Sequence, residues 1–345
     1  MKAVLLKKSE VLGVVGAEVS EVPIPKIGAG ELLVEMKACG LCGTDIEKAR
    51  GEYTAALPIL GHEAVGVVAS VGEGAVNIRE GDRIFAHHHV PCHECYYCLH
   101  GNQTACKKFR NSNIHPGGFS EFFSVPQWNV SKGGILTLPS SLGFEEASLI
   151  EPVGCCIRAL DRCSVKKGDT VLVVGAGPVG VLHSILLLSR GTKVIISDIS
   201  EPRLRFAEKL KVEGIINAGK QDAPKEVRGR TEGRGADLVI VASGSPKAIL
   251  QALKSVRMGG RVCLFGVPAR GSVLDYDLSD VYNSEVSLIP SYATTDTETA
   301  TALNLIAAES EKFKQIITHT FPIAEFPKAV ETATSGAGMK VVITP

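Results

Sequence analysis

The chain has 345 residues, enough for about two domains that each bury a core of their own. Lys plus Arg and Asp plus Glu both total 37, so no net charge points toward nucleic acid or an anionic membrane as partner. Hydrophobic residues at 45 % and 36 glycines fit an α/β protein rich in turns.

The opening MKAVLLKKSE has too short an apolar run for a signal peptide. The apolar stretch at 171–188 is broken by GAGPVG and reads as a strand and a buried helix rather than a membrane span. A cytoplasmic protein is therefore expected, in a compartment where the ten cysteines stay reduced.

Up to about residue 150 the sequence predicts short strands (VLLKK, LLVEMKAC, EAVGVVASVG, DRIFAHH, FSEFFSV). Gly and Pro punctuate them, as in PIPKIGAGE and HPGGFSE, which suggests an irregular, partly barrel-like β domain. After residue 160 strands and helices alternate. Strands are predicted at 170–174, 194–197, DLVIVA and RVCLFG, and helices at 179–189, 203–210 and around 247–256. This is the pattern of a doubly wound parallel sheet. One more helix is predicted near 298–308 and a last strand at KVVITP.

VLVVGAGPVG sets Gly175, Gly177 and Gly180 between an apolar strand and an apolar helix that begins with Pro178 and Val179. The first glycine permits the turn, the second lets backbone approach a pyrophosphate, and the third lets helix and strand pack closely. The helix N-terminus then offers N–H groups to phosphates. Asp198 ends the next strand about 20 residues on, where a carboxylate accepts ribose hydroxyls and repels a 2′-phosphate, so NAD is favoured over NADP. Arg203 either stacks on the adenine or is a solvated helix charge. Phe265, Gly266 and Val267, after the RVCLFG strand, are counted with the cofactor-binding residues.

PCHECYYCLHGNQTAC brings Cys92, Cys95, Cys98 and Cys106 together. A ferredoxin cluster would continue with C-P after three residues, but here seven intervene. Four thiolates can surround one tetrahedral Zn²⁺ and fill every position, which makes such an ion structural. Disulfides are the weaker alternative in a reducing compartment. A second, open shell can be drawn from Cys42 in CGLCGTD, His62 and Glu63 in GHEAVG, and Glu151 in LIEPVG, with room for an exchangeable ligand. Cys39 fits better as a packed thiol.

Taken together, GLCGTD, GHEAVGVVASVGEGA, GDRI, PCHECYYCLHGNQTAC, GGFSEF, LIEPVG, VLVVGAGPVG and SDIS resemble the zinc-containing medium-chain alcohol and polyol dehydrogenases, and KVVITP extends the likeness to the end. The resemblance implies a Rossmann domain at 153–291 and a discontinuous GroES-like catalytic domain at 1–152 and 292–345. It implies Cys42 and His62 as catalytic zinc ligands, with Glu63 and Glu151 exchanging around the metal. Thr44 would bond the substrate oxygen and start a proton relay. The His expected three residues later is Glu47 here, which could accept the proton, be bypassed by water, or be a surface residue.

The implied reaction moves a hydride between a secondary alcohol, a polyol or sugar alcohol, and NAD, with one catalytic and one structural zinc per chain. L-Threonine 3-dehydrogenase is the alternative, and His89 in HHHVPC occupies a position that branch often uses. A non-catalytic dinucleotide-binding regulator is a further alternative. A small alcohol or ketone would be the partner, and the resemblance implies a homodimer or homotetramer.

Overall fold

The computed structural model describes residues 1–9, 13–51, 59–336 and 338–345. Its strands are β1 (Lys2–Ser9), β2 (Gly13–Glu21), β3 (Leu32–Gly40), β4 (Glu63–Val71), β5 (Arg83–Ala86), β6 (Phe122–Val125), β7 (Ile135–Thr137), β8 (Thr170–Val174), β9 (Lys193–Asp198), β10 (Gly214–Asn217), β11 (Ala236–Val241), β12 (Val256–Leu264), β13 (Ser287–Pro290), β14 (Ile317–Pro322) and β15 (Lys340–Thr344). The chain forms two compact units, one of Met1–Gly154 with Thr294–Pro345, the other of Cys155–Ala293.

The first unit is a mainly antiparallel sheet in the order β14-β15-β3-β4-β5-β7, with β6 also on β3 and a separate β1–β2 pair. In β3, buried and half-buried residues alternate from Leu32 to Lys37, as a sheet with one packed face requires, and Ala38, Cys39 and Gly40 are then all buried. Leu32, Val34, Met36, Phe119, Phe123 and Ile343 share one core cluster, so both ends of the chain contribute to it. Two registers set the last strand of the chain and the fourth on either side of β3. Gly40 faces Glu63 on β4 and Val342 on β15. Side chains repeat every second residue along a strand, so Lys340 lies on the same face of the sheet as Val342, and hence as Glu63.

The second unit is a parallel sheet in the order β10-β9-β8-β11-β12-β13. All five residues of β8 are buried, which explains its unbroken apolar run. From β8 the chain steps outward through β9 and β10, then returns to β11 on the other side. The crevice beyond the carboxyl ends of β8 and β11 is the topological switch point where such sheets bind ligands. The sheet was expected from the strand–helix alternation; its short strands β10 and β13, with only four residues each, were not.

Candidate active site

The dinucleotide loop follows from β8. Gly175 has φ +107°, a conformation L side chains avoid, and a Cβ on Gly180 would lie 1.8 Å from the Gly175 carbonyl oxygen. Gly177 caps the helix Pro178–Ser189, whose fixed first residue suits N1. Asp198 accepts hydrogen bonds from the amides of Ala176 (2.7 Å) and Ser200 (2.8 Å). Its carboxylate is thus held against the loop, with lone pairs left for ribose hydroxyls. Arg203 lies over Gly177, where an added Cβ would meet its guanidinium at 3.6 Å, and its buried Nε has no hydrogen-bond partner among the described residues. Phe265 and Gly266 bond the Val241 carbonyl beyond β12, and Val267 follows, half exposed at 40 %.

In the cysteine lobe Sγ–Sγ distances are 3.6 Å for Cys95–Cys98 and Cys92–Cys106 and 3.9 Å for Cys92–Cys98. A tetrahedron with Zn–S of about 2.3 Å has edges of about 3.8 Å, so the lobe fits a zinc ion. None of the ten cysteines forms a disulfide in this structure. The Glu94 amide, followed by that of Cys95, draws the Cys92 thiol down to about 6, toward the thiolate a metal binds.

Cys42, His62 and Glu63 bring one ligand atom each within 4.8 Å of one another. Cys42 caps the short helix Gly43–Ala49, while His62 and Glu63 arrive at the start of β4. Glu151, in the first turn of the helix Ile150–Arg162, stays outside that group, though it is buried and its charge reaches Lys340. The Thr44 hydroxyl donates to Cys42 Sγ at 3.4 Å, and Glu47 is half-buried on the same short helix.

Two residues absent from the sequence-based site belong to this arrangement. Asp45 is fully buried. It accepts from the amides of Cys42 (3.2 Å) and Gly61 (3.0 Å), and its Oδ1 lies 3.2 Å from His62 Nδ1. It therefore orients the ring and leaves Nε2 for a metal. Burial works against charge on both groups. Mutual attraction outweighs it, holding the Asp45 carboxyl below its usual range and, with help from Cys42, raising His62 well above its own. Lys340 is the second. Its Nζ donates to Glu63 Oε1 at 2.7 Å and lies 2.5 Å from Oε2. Both oxygens of the buried carboxylate are thus within reach of one buried ammonium. Asp45 was legible in GTD as a carboxylate beside a ligand; Lys340 carried no local signal.

His87, His88 and His89 follow β5 in a loop, not in the strand expected from DRIFAHH. The His88 ring centroid is 5.2 Å from that of His62 and 4.0 Å from that of His89. Burial, then neighbouring histidines, push His88 well down and His87 to about 3, while burial brings His89 to about 4.

Family models match at residues 28–134, the alcohol dehydrogenase GroES-like domain, and 178–308, the zinc-binding dehydrogenase domain. The chain belongs to the zinc-type medium-chain alcohol dehydrogenase family. This dehydrogenase is 33 % identical to an L-threonine 3-dehydrogenase of Bacillus licheniformis, covering 100 % of this chain and 99 % of that one. It is 30 % identical to a sorbitol dehydrogenase of Halalkalibacterium halodurans, covering 95 % of each. A crystal structure from Sinorhizobium meliloti 1021, assigned as a zinc-binding dehydrogenase and bound to NADP, superposes with a TM-score of 0.87 at 27 % identity, covering 100 % of this chain and 99 % of that one. The dehydrogenase is an oxidoreductase with the GroES-like and Rossmann architecture of its family. Among the described residues no helix is long and apolar enough to cross a membrane.

Proposed function

We propose that this dehydrogenase oxidises a secondary alcohol, a polyol or sugar alcohol, with NAD, and reduces the ketone in reverse. The observation that carries the reading is the meeting of Cys42, His62 and Glu63 in a three-donor set that leaves a corner open, in a chain that also carries the glycine loop and Asp198. Zinc held by these donors would supply Lewis acidity to the substrate oxygen, and the nicotinamide would take the hydride. The protein's own part is positional and protonic. Asp45 fixes the His62 ring, and Thr44, beside Cys42, is placed to bond the substrate hydroxyl and lead its proton outward. Asp198 accepts the ribose hydroxyls and disfavours a 2′-phosphate. The four-cysteine lobe would hold a second, structural zinc. Ten cysteines outside any disulfide fit work in the cytoplasm. The edge strand β13 and the exposed Leu278 and Tyr282 fit self-association into a dimer or tetramer.

The polyol reading is favoured because His88, beside His62, is held neutral by burial and offers no positive charge suited to a carboxylate. The second reading, L-threonine oxidation, is favoured by the 33 % identity to the threonine enzyme and by His89. The test has two parts. Metal analysis after dialysis should give about two zinc per chain. A panel of polyols, simple secondary alcohols and L-threonine, with NAD and NADP and followed at the nicotinamide absorbance, should give the highest kcat/KM for a polyol with NAD. Preference for L-threonine would select the second reading, and no turnover with any alcohol would end the first. Asp198→Ala should relax discrimination against NADP; unchanged selectivity would assign it to another group.

A further inference from the structure

Two cysteines outside both candidate metal sites meet in the second unit. Cys263 stands on β12, opposite Ile240 of β11 and Ile289 of β13, and is fully buried. Arg261, two residues earlier, points to the same face of the sheet. Its guanidinium donates to the carbonyls of Cys163 (2.5 Å) and Ser164 (2.8 Å) and to Asp169 Oδ2 at 2.9 Å. That clamp holds the residues just beyond the helix Ile150–Arg162 over β12, where the Cys263 thiol hydrogen-bonds the Cys163 sulfur. This contact draws the Cys163 thiol down, against burial and with help from Arg261 and Arg162. The same contact, joined by burial, pushes Cys263 up. Cys163 is itself 1 % exposed, yet Asp161, Arg162, Ser164 and residues 166–168 around it are exposed. The sulfur therefore lies one layer beneath a surface turn, in which Ser164 takes the strained φ of +48°. Local opening of that turn uncovers it without unfolding the sheet.

We propose that Cys163 and Cys263 are a redox modification site, a dithiol that a hydroperoxide closes to a reversible disulfide. The Cys163 thiolate attacks a peroxide oxygen and the O–O bond breaks. The sulfur becomes a sulfenic acid, and the other oxygen leaves as water or an alcohol, carrying the proton of the thiol. The Cys263 sulfur then displaces the sulfenic oxygen, which leaves as water with the second thiol proton, and the S–S bond forms. The two thiols lose two electrons and two protons, and the peroxide gains both. Cys163 suits the attacking role because the hydrogen bond and the two arginines favour its thiolate, and Cys263 suits the resolving role because it is already in contact. Cys156, whose charge also reaches Cys263, bonds the Val179 carbonyl at 3.9 Å. Closure joins residues about 100 apart, so it restricts the unfolded chain and stabilises the second unit while oxidised. Exchange with a reducing thiol pool reopens it.

The test uses the full-length, zinc-loaded protein and hydrogen peroxide, raised until the cysteines of the four-thiol lobe begin to oxidise. Each sample is quenched with N-ethylmaleimide in denaturant, digested without reduction and read by mass spectrometry. A peptide pair linked through Cys163 and Cys263 should appear before the lobe reacts, and dithiothreitol should remove it. It should be absent from Cys163→Ser and Cys263→Ser. The oxidised wild type should gain about 5 °C or more in Tm, reversed by dithiothreitol and missing in either variant. The linked peptide is sought in the wild type, so the result does not depend on the variants folding. Recovery of both cysteines as maleimide adducts when the lobe has already oxidised would overturn the proposal. Arrest of Cys163 at sulfinic acid, or a Cys156–Cys263 bridge in place of the expected one, would overturn it equally.

Discussion

The two candidate metal sites of the first unit are built in opposite ways. The cysteine lobe takes four like donors from one fifteen-residue stretch, at distances that suit a closed tetrahedron. The other site takes unlike donors from a helix cap and the start of β4, surrounds them with Asp45, His88 and Lys340, and leaves a corner open. The difference teaches that saturation and locality go with scaffolding, whereas an incomplete set held by distant partners goes with chemistry.

The comparison breaks most sharply at the sulfurs. Cys42→Ser should lower kcat/KM about a thousandfold or more, the order of what a metal supplies to charge stabilisation. Dinucleotide binding by fluorescence titration and Tm should change little. Cys95→Ser should do the reverse, lowering Tm by about 5 °C or more as metal-linked folding energy is lost, while kcat of the folded fraction holds. Equal effects of the two variants on Tm and kcat would erase the distinction. Asp45→Asn has no counterpart in the lobe. It should weaken second-site zinc binding about 10- to 100-fold, read by chelator competition, with the lobe zinc retained.

Legibility in the sequence divides along the same line. The lobe lies in one string, and the glycine loop, its helix and Asp198 lie within about 25 residues, so spacing alone aligned them. Cys42, His62 and Glu63 stood out through the motifs around them, and the structure brings the three together. Lys340 did not stand out, because its meeting with Glu63 depends on two strand registers through Gly40, one of them joining residues about 300 apart. The strand expected through His87 ends at Ala86, where the chain turns and the histidines gather beside His62 instead of continuing the ladder. The helix Ile150–Arg162 also went unread. Its LIEPVG stretch drew attention for its glutamate, while Pro152 sits in the first turn, where proline is tolerated.

The smallest effect separates acid loss of metal from acid unfolding. His183 is fully buried in the second unit, its ring edge-on to Phe265 at 4.6 Å, and burial, then Arg190, pushes its pKa down to about 3. The unfolded chain takes this proton near pH 6.5 and the folded one refuses it. Stability is therefore complete above about pH 6.5 and falls as pH drops toward 3, by about 2 kcal/mol at pH 5. His183→Leu should remove that increment, seen by comparing urea unfolding at pH 5 and pH 8. The same pH difference in the variant as in wild type would reject the assignment. Acid loss of second-site zinc, by contrast, should be unaffected, since Cys42, His62 and Glu63 belong to the other unit.

The pairing of β15 with β3 has a consequence for biogenesis. The Rossmann sheet is contiguous in sequence and can close as soon as it leaves the ribosome. The Cys39–Gly40 edge of β3 must wait through about 300 further residues for Val342 and Ile343. Until then the nascent chain carries an unpaired strand edge and a buried-type carboxylate without its counter-ion. That window is when chaperone binding, misfolded pairing with a neighbouring chain, or uptake of the wrong ion would compete with the native outcome.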